Sequence, residues 1–223
     1  LRTPLAAIKA SLETLQDGAL DDPAVNRVFV EKALRHSERL EELLNDLLAL
    51  GRIEEQRRQG RSGQGRCRLA EAWAEAAALL EDALRRSGVK LELRLPVELP
   101  ELAIERSSLR QILVNYVDNA LKHSASREPI SLGAALEGTA VLVWVQDHGQ
   151  GIPETDQARV FERFFRVDKA RARGAAGGSG LGLAIVKHLA ESAGGAVGVE
   201  SQPGRGSRFW VRVPAVLPSS LPA

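Results

Sequence analysis

The sequence predicts an α-helical hairpin followed by an α+β sandwich, and three observations carry that expectation. Over residues 1–55 the apolar positions recur at steps of three and four, the helical repeat. The stretch QRRQGRSGQGR (56–66) then breaks all periodicity. Beyond it, helix-like segments mix with segments in which every second residue is apolar.

Taken in order, Leu1, Leu5, Ile8, Leu12 and Leu15 form the first seam. DGALDDPAV (17–25) brings Gly18 and Pro23 and reads as a turn with a new N-cap. A second helix over 28–55 carries Val30, Ala33, Leu40, Leu44 and Leu47. Two helices cannot hide seams this wide against each other. The economical expectation for residues 1–55 is therefore a homodimer in which two hairpins form a four-helix bundle. A monomeric two-helix subdomain packed on its neighbour is the alternative. Residues 56–66, polar, basic and glycine-rich, read as a linker whose arginines are a solvated spacer.

The second domain is expected over 67–214. LAEAWAEAAALLEDALRRSG (69–88) is a helix closed by Gly88, and VKLELRLP (89–96) alternates as a half-buried strand. SSLRQILVNYVDNALKHS (107–124) is a helix, and AVLVWVQD (140–147) is a strand that ends in Asp147. A glycine-rich stretch (174–182) runs into a helix starting at LGLAIVKHL, and 196–214 closes as a hairpin. Helices on one face of a sheet are the implied arrangement. Residues 215–223 are a tail with little to pack.

Bulk composition narrows the function. The 223 residues are 44% hydrophobic and only 4% aromatic, so the core must be built from Leu, Val, Ile and Ala. A net charge of +1 gives no argument for nucleic acid or an anionic membrane surface. The single Cys67 excludes an internal disulfide and a cysteine-based zinc site, and suits a reducing, cytoplasmic compartment. No run approaches the roughly 18 apolar residues of a membrane span, and no signal peptide is visible. The chain has no methionine, so Leu1 is not a translation start and an upstream segment is expected, where a membrane anchor could lie.

Three clusters point to a nucleotide. In NYVDNALKHS, Asn115 and Asn119 stand one helical turn apart and can offer neutral oxygens to a hydrated Mg²⁺, with Lys122 placed to reach a phosphate. Asn is a poor helix former, so two on one helix want a reason, although two surface amides are the bland reading. In QDHGQGIP, Gly149 and Gly151 let the backbone approach a flat ligand, and Asp147 could accept from an exocyclic amine such as adenine N6. Alone this would be a strand and a glycine turn. In GGSGLGLAIVKHL a glycine-rich loop enters a helix whose free N–H groups suit anionic phosphates. Its spacing matches neither the dinucleotide fingerprint nor the P-loop.

In this order, Asn115 to Lys122, Asp147 to Ile152, Phe161 to Asp168 (FERFFRVD) and Gly178 to Leu183 resemble the catalytic ATP-binding domain of bacterial sensor histidine kinases. GRGSRFWVRVP, with Gly204, Gly206 and Phe209, is similar to that family's closing strands, and the likeness covers residues 1–214. LRTPLAAI resembles the tail of the family's phosphoacceptor box, His-Glu-Leu-Arg-Thr-Pro-Leu, which would put the acceptor histidine two residues ahead of Leu1. His36, His123, His148 and His188 do not match it, so the chain by itself is expected not to autophosphorylate.

The resemblance implies the GHKL (Bergerat) type of ATP-binding fold, ATP and Mg²⁺ as ligands, and transfer of the γ-phosphoryl to histidine and on to a response regulator aspartate. Carried onto this sequence, Asp147 reads adenine beside Gly149, Gly151 and Ile152, while Asn119 with Asn115 holds Mg²⁺. Lys122 and Arg166 contact phosphate. Gly178, Ser179, Gly180, Leu181 and Gly182 form the hinge and cradle of a mobile lid, docked by Phe161, Phe164 and Phe165. His123 stands where the family often has tyrosine, a departure that bears on the phosphate contact there. Thr3 is assigned to a second activity, orienting water to dephosphorylate the regulator. The partners implied are a second copy through residues 1–55 and a receiver domain, in a cytoplasmic part of a protein anchored upstream in the cell membrane.

Related ATPases of the gyrase, chaperone and mismatch-repair type place a glutamate base where this chain has Asn115, and a neutral amide cannot take a proton from water. That weighs against an ATP hydrolase of the same fold. A non-catalytic dimerising scaffold is the other alternative, against which Asp147, Asn119 and the glycine lid stand.

Overall fold

The structure, a computed structural model, describes residues 2–58, 65–124, 128–167 and 179–217. The chain divides into two compact units, one ending at Gly51 and the other beginning at Arg52.

The first unit holds helix α1 (Arg2–Gln16), a 3₁₀ turn (Ala19–Asp21) and most of helix α2 (Pro23–Arg58). α2 begins five residues before the expected 28, because the Asp22 carboxylate accepts the Ala24 N–H at 2.9 Å and Pro23 supplies a pre-set φ at the first helical position. It also runs past the expected end at 55, since Gln56, Arg57 and Arg58 are good helix formers with no breaker among them. Leu15 and Leu43 are buried, whereas Leu5, Leu12, Leu44 and Leu48 are each more than half exposed. Of the seam, Leu5, Leu12, Val30 and Leu44 are thus left in solvent by a single copy.

The second unit contains α3 (Leu69–Ser87), β1 (Leu91–Arg94), β2 (Glu101–Leu102), α4 (Arg106–His123), β3 (Ile130–Glu137), β4 (Ala140–Gln146), α5 (Glu154–Gln157), α6 (Gly182–Ser192), β5 (Ala196–Gln202) and β6 (Gly206–Val216). The strands form one mixed sheet in the order β1-β3-β4-β6-β2, with β5 also on β6. β1 runs parallel to β3, and every other pairing is antiparallel. α3 stops at Gly88, which takes φ 67° and donates its N–H to the Leu84 carbonyl.

Alternation sorts the sheet into two faces. Val141, Val143 and Val145 of β4 and Phe209, Val211 and Val213 of β6 are buried, as are Leu109, Ile112, Leu113, Tyr116 and Val117 of α4. α6 contributes Ile185, Val186 and Leu189. On the opposite face Trp144 and Trp210 are register partners. Gly133 beside Trp144 and Gly198 beside Trp210 have no room for a Cβ, which would come within 2.3 Å and 2.1 Å of the indoles. Arg208 lies over the Trp144 ring and Arg212 over the Trp210 ring. Two indoles laid over glycines cover this face in place of a second helical layer.

Burial pushes the Cys67 thiol up to about 11, with Glu71 adding to the effect, so it is an inert core thiol. No helix among the described residues is long and apolar enough to cross a membrane.

Candidate nucleotide site

The site is assembled where β4 ends, and Asp147 is its fixed point. Only 3% exposed, its carboxylate accepts the Gly149 N–H at 2.8 Å through Oδ1. Its own N–H donates to the Ser207 carbonyl at 2.9 Å. Burial raises its pKa, opposed by the Gly149 and Ser207 backbone groups and by His123. A carboxylate held this way is an acceptor aimed by the fold rather than by solvent.

The loop after it is made of close approaches. At Gly149 a Cβ would stand 2.3 Å from the His123 carbonyl oxygen and 2.9 Å from Asp147 Oδ1. Gly151 takes φ 70° and leaves no space against the Gln202 carbonyl, and Gly206, at φ 86°, does the same against Asp147. Ile152 donates its N–H to Ser201 Oγ at 2.8 Å, and that hydroxyl lies 2.8 Å from the Gly206 carbonyl, which it donates to. Gln157 of α5 spends its side-chain N–H groups on the Ile152 and Ser201 carbonyls. Ser201 and Gln157 therefore clamp the loop to the β5–β6 hairpin. Sequence reading missed both, because their partners lie as far as 49 residues away.

α4 supplies the polar wall. Asn115 and Asn119 are half-buried, but they are not equivalent. Asn115 donates Nδ2 to the Gln111 carbonyl one turn back at 2.9 Å. Its Oδ1 lies against the first residue of α6, where a Cβ on Gly182 would come within 2.5 Å of it. Lys122 Nζ pairs with Asp118 Oδ2 at 2.7 Å. His123 is exposed, and its carbonyl lies against Gly149. Burial lowers its pKa, opposed by Asp147 and reinforced by Arg166 and Lys122.

The segments flanking the expected lid meet as well. Gly180 takes φ 73°, and its carbonyl accepts the Phe164 N–H at 2.9 Å. Ser179 Oγ accepts the Leu181 N–H at 3.1 Å, and Leu181 is fully buried at the start of α6. Phe161 packs edge-on to Phe209, and Phe165 lies under the Arg159 guanidinium. Phe164, in contrast, is 59% exposed and holds φ 63°, a conformation non-glycine residues seldom adopt. Gly178 and the rest of the expected lid, 168–178, lie outside the described residues. Thr3 is exposed on α1 in the first unit.

Residues 104–217 match the family described as histidine kinase-, DNA gyrase B-, and HSP90-like ATPases, and residues 1–56 match the His Kinase A (phospho-acceptor) domain. The chain belongs to the sensor histidine kinases. The chain is 36% identical over 221 residues to the sensor-like histidine kinase SenX3 of Mycolicibacterium smegmatis, with 96% of this chain and 54% of the relative aligned. It is 34% identical to the alginate biosynthesis sensor protein KinB of Pseudomonas aeruginosa, covering 96% of this chain and 35% of KinB. The chain thus spans about half or less of the length of these relatives. Among solved structures, the histidine kinase AdeS of Acinetobacter baumannii superposes with a TM-score of 0.73 at 22% identity over 97% of this chain and 98% of AdeS, a likeness of fold. Full-length ShkA, solved in complex with AMPPNP, gives a TM-score of 0.68 at 26% identity over 98% of this chain and 48% of ShkA. The ATP-binding fold expected from sequence is the fold found, an α/β domain with a mixed sheet following a helical region.

Proposed function

We propose that residues 67–214 of this chain bind Mg·ATP and pass its γ-phosphoryl to a histidine imidazole, from which it moves to an aspartate of a response regulator. The observation that carries this reading is the pairing of a buried, backbone-fixed Asp147 with a neutral Asn115. Asp147 can accept the adenine amine, while Asn115 offers no base to activate water. An imidazole nitrogen needs little activation, so positioning and charge neutralisation carry the catalysis.

In this reading Asp147 orients the purine against the Gly149–Ile152 loop, and Lys122 and Arg166 neutralise phosphate charge. The free N–H groups at the start of α6 face the same anion. The imidazole nitrogen forms the new N–P bond as the bridging P–O bond breaks, and ADP leaves with that electron pair. Asn119 fits a hydrated cation, being a neutral oxygen donor on the same helix as Lys122. Asn115 is committed to Gln111 and Gly182 and would serve beside it. Bound Mg²⁺ would supply charge neutralisation across the phosphates.

The same reading takes residues 1–55 as the dimerising hairpin, supported by the exposed Leu5, Leu12, Leu44 and Leu48. It places the acceptor histidine ahead of Leu1 and gives Thr3 a part in dephosphorylating the regulator. It also takes this part of the protein as cytoplasmic and the whole as membrane-anchored, in keeping with relatives that are named sensors. The test is γ-labelled ATP given to the chain extended at Leu1 by His-Glu. Acid-labile, base-stable phosphate on that histidine is the expected result. Release of inorganic phosphate with no labelled protein would overturn the reading in favour of a hydrolase.

A further inference from the structure

The Lys122–Asp118 pair has a consequence for how tightly the site holds its ligand. The two side chains stand one turn apart on α4, with Nζ and Oδ2 separated by 2.7 Å, a charge-assisted hydrogen-bond distance. Their side chains are 33% and 42% exposed, so solvent screens the pair only in part. An i,i+4 pair of this kind commonly does no more than stiffen its helix. Here its neighbourhood differs. Asp118 directly precedes Asn119 on α4 and its carboxylate holds the Lys122 ammonium. It is therefore an anion on the same helix that supplies the polar wall of the site.

We infer that Asp118 competes with the nucleotide's phosphates for Lys122, and so weakens retention of ATP and, less strongly, of ADP. The inference rests on the Mg·ATP reading above. A phosphate chain entering the site must draw Lys122 away from Asp118, and it must also sit near that carboxylate's negative charge. The repulsion grows with the charge of the ligand, the loss of the pair is a fixed cost, and neither touches an uncharged nucleoside. A two-cation rim with no such anion would hold the product more firmly after transfer. Asp118 returns Lys122 to an internal partner as ADP leaves. It is a positioning residue, acting on the ligand through Lys122.

Magnitudes for a half-exposed pair are modest. Loss of the competing pair, together with relief of screened repulsion, should tighten ATP about two- to fivefold. The experiment is calorimetric titration of the intact chain, of Asp118→Asn, of Lys122→Ala and of the double variant, with Mg·ATP, Mg·ADP and adenosine at low and at physiological salt. The expected result is tighter ATP binding in Asp118→Asn, a smaller gain for ADP, no change for adenosine, and a gain that shrinks when Lys122 is also removed. A purely structural helix pair would move the melting temperature and leave the nucleotide series flat, and that outcome overturns the inference. So does weaker ATP binding in Asp118→Asn, which would mean that the carboxylate aims Lys122 at the phosphate. If Lys122→Ala binds ATP as well as the parent does, the assignment of Lys122 falls and the inference with it. If the parent chain binds no ATP, the fault lies with the Mg·ATP reading itself.

Discussion

Gly182 and Asn115 touch only because position 182 has no side chain, since a methyl group there would stand 2.5 Å from the Asn115 amide oxygen. The first residue of α6 therefore rests on the amide that the site presents from α4. Gly182→Ala brings two opposing effects. A helix gains up to about 1 kcal/mol from alanine over glycine, and displacing the amide from Gln111 costs about 1 kcal/mol of hydrogen bonding. Stability in urea should stay within about 1 kcal/mol of the parent, while ATP affinity falls. Unchanged ATP binding in this variant would separate Asn115 and α6 from the nucleotide.

Asp147→Asn should weaken ATP about ten- to a hundredfold, the equivalent of one charge-assisted hydrogen bond. Its effect on stability runs the other way. The raised pKa of Asp147 means that the folded state favours the protonated form. The stability this contributes is fully present below the ordinary value of 3.8 and is lost as pH rises through the elevated folded value. At neutral pH, without ligand, the asparagine variant should melt no lower than the parent, and the difference should vanish in acid. A parent that gains on the variant as pH rises would contradict the burial argument.

Asn119→Ala should abolish phosphoryl transfer to a histidine supplied upstream of Leu1 while still admitting nucleotide, because the proposed reading has the purine held at Asp147. Labelled-ATP transfer and calorimetry on the same preparation separate the two. Full transfer would move the cation to other ligands.

Much of this site could be read in the sequence because its residues come in short runs, with Asn115 to Lys122 on one helix and Asp147 to Ile152 on one loop. What could not be read lies between runs. Ser201 meets Ile152, and Gln157 meets Ser201, only after the β5–β6 hairpin has folded back. The pairing of Lys122 with Asp118 follows from their four-residue spacing on α4. In the fold, β3 was missed outright. Its Gly133, Ala134 and Ala135 have weak strand preference, and β3 exists because Trp144 needs a glycine opposite and because β1 and β4 both pair with it. The two-residue β2 has no periodicity to detect.

Gly133→Ala should cost about 1–3 kcal/mol, the usual penalty for overpacking, because its methyl group would meet the Trp144 indole at 2.3 Å. Urea unfolding checks it. A cost below about 0.5 kcal/mol, within the range of neutral surface changes, would mean that the indole swings clear.

The same two indoles determine what the protein's own light emission can report. Of three tryptophans, Trp144 and Trp210 lie on the far face of the sheet under arginines, and Trp73 is on α3. Ultraviolet fluorescence from Trp144 and Trp210 is a gauge of strand assembly. The arrival of a nucleotide, on the opposite side of β4 and β6, should pass almost unseen by it.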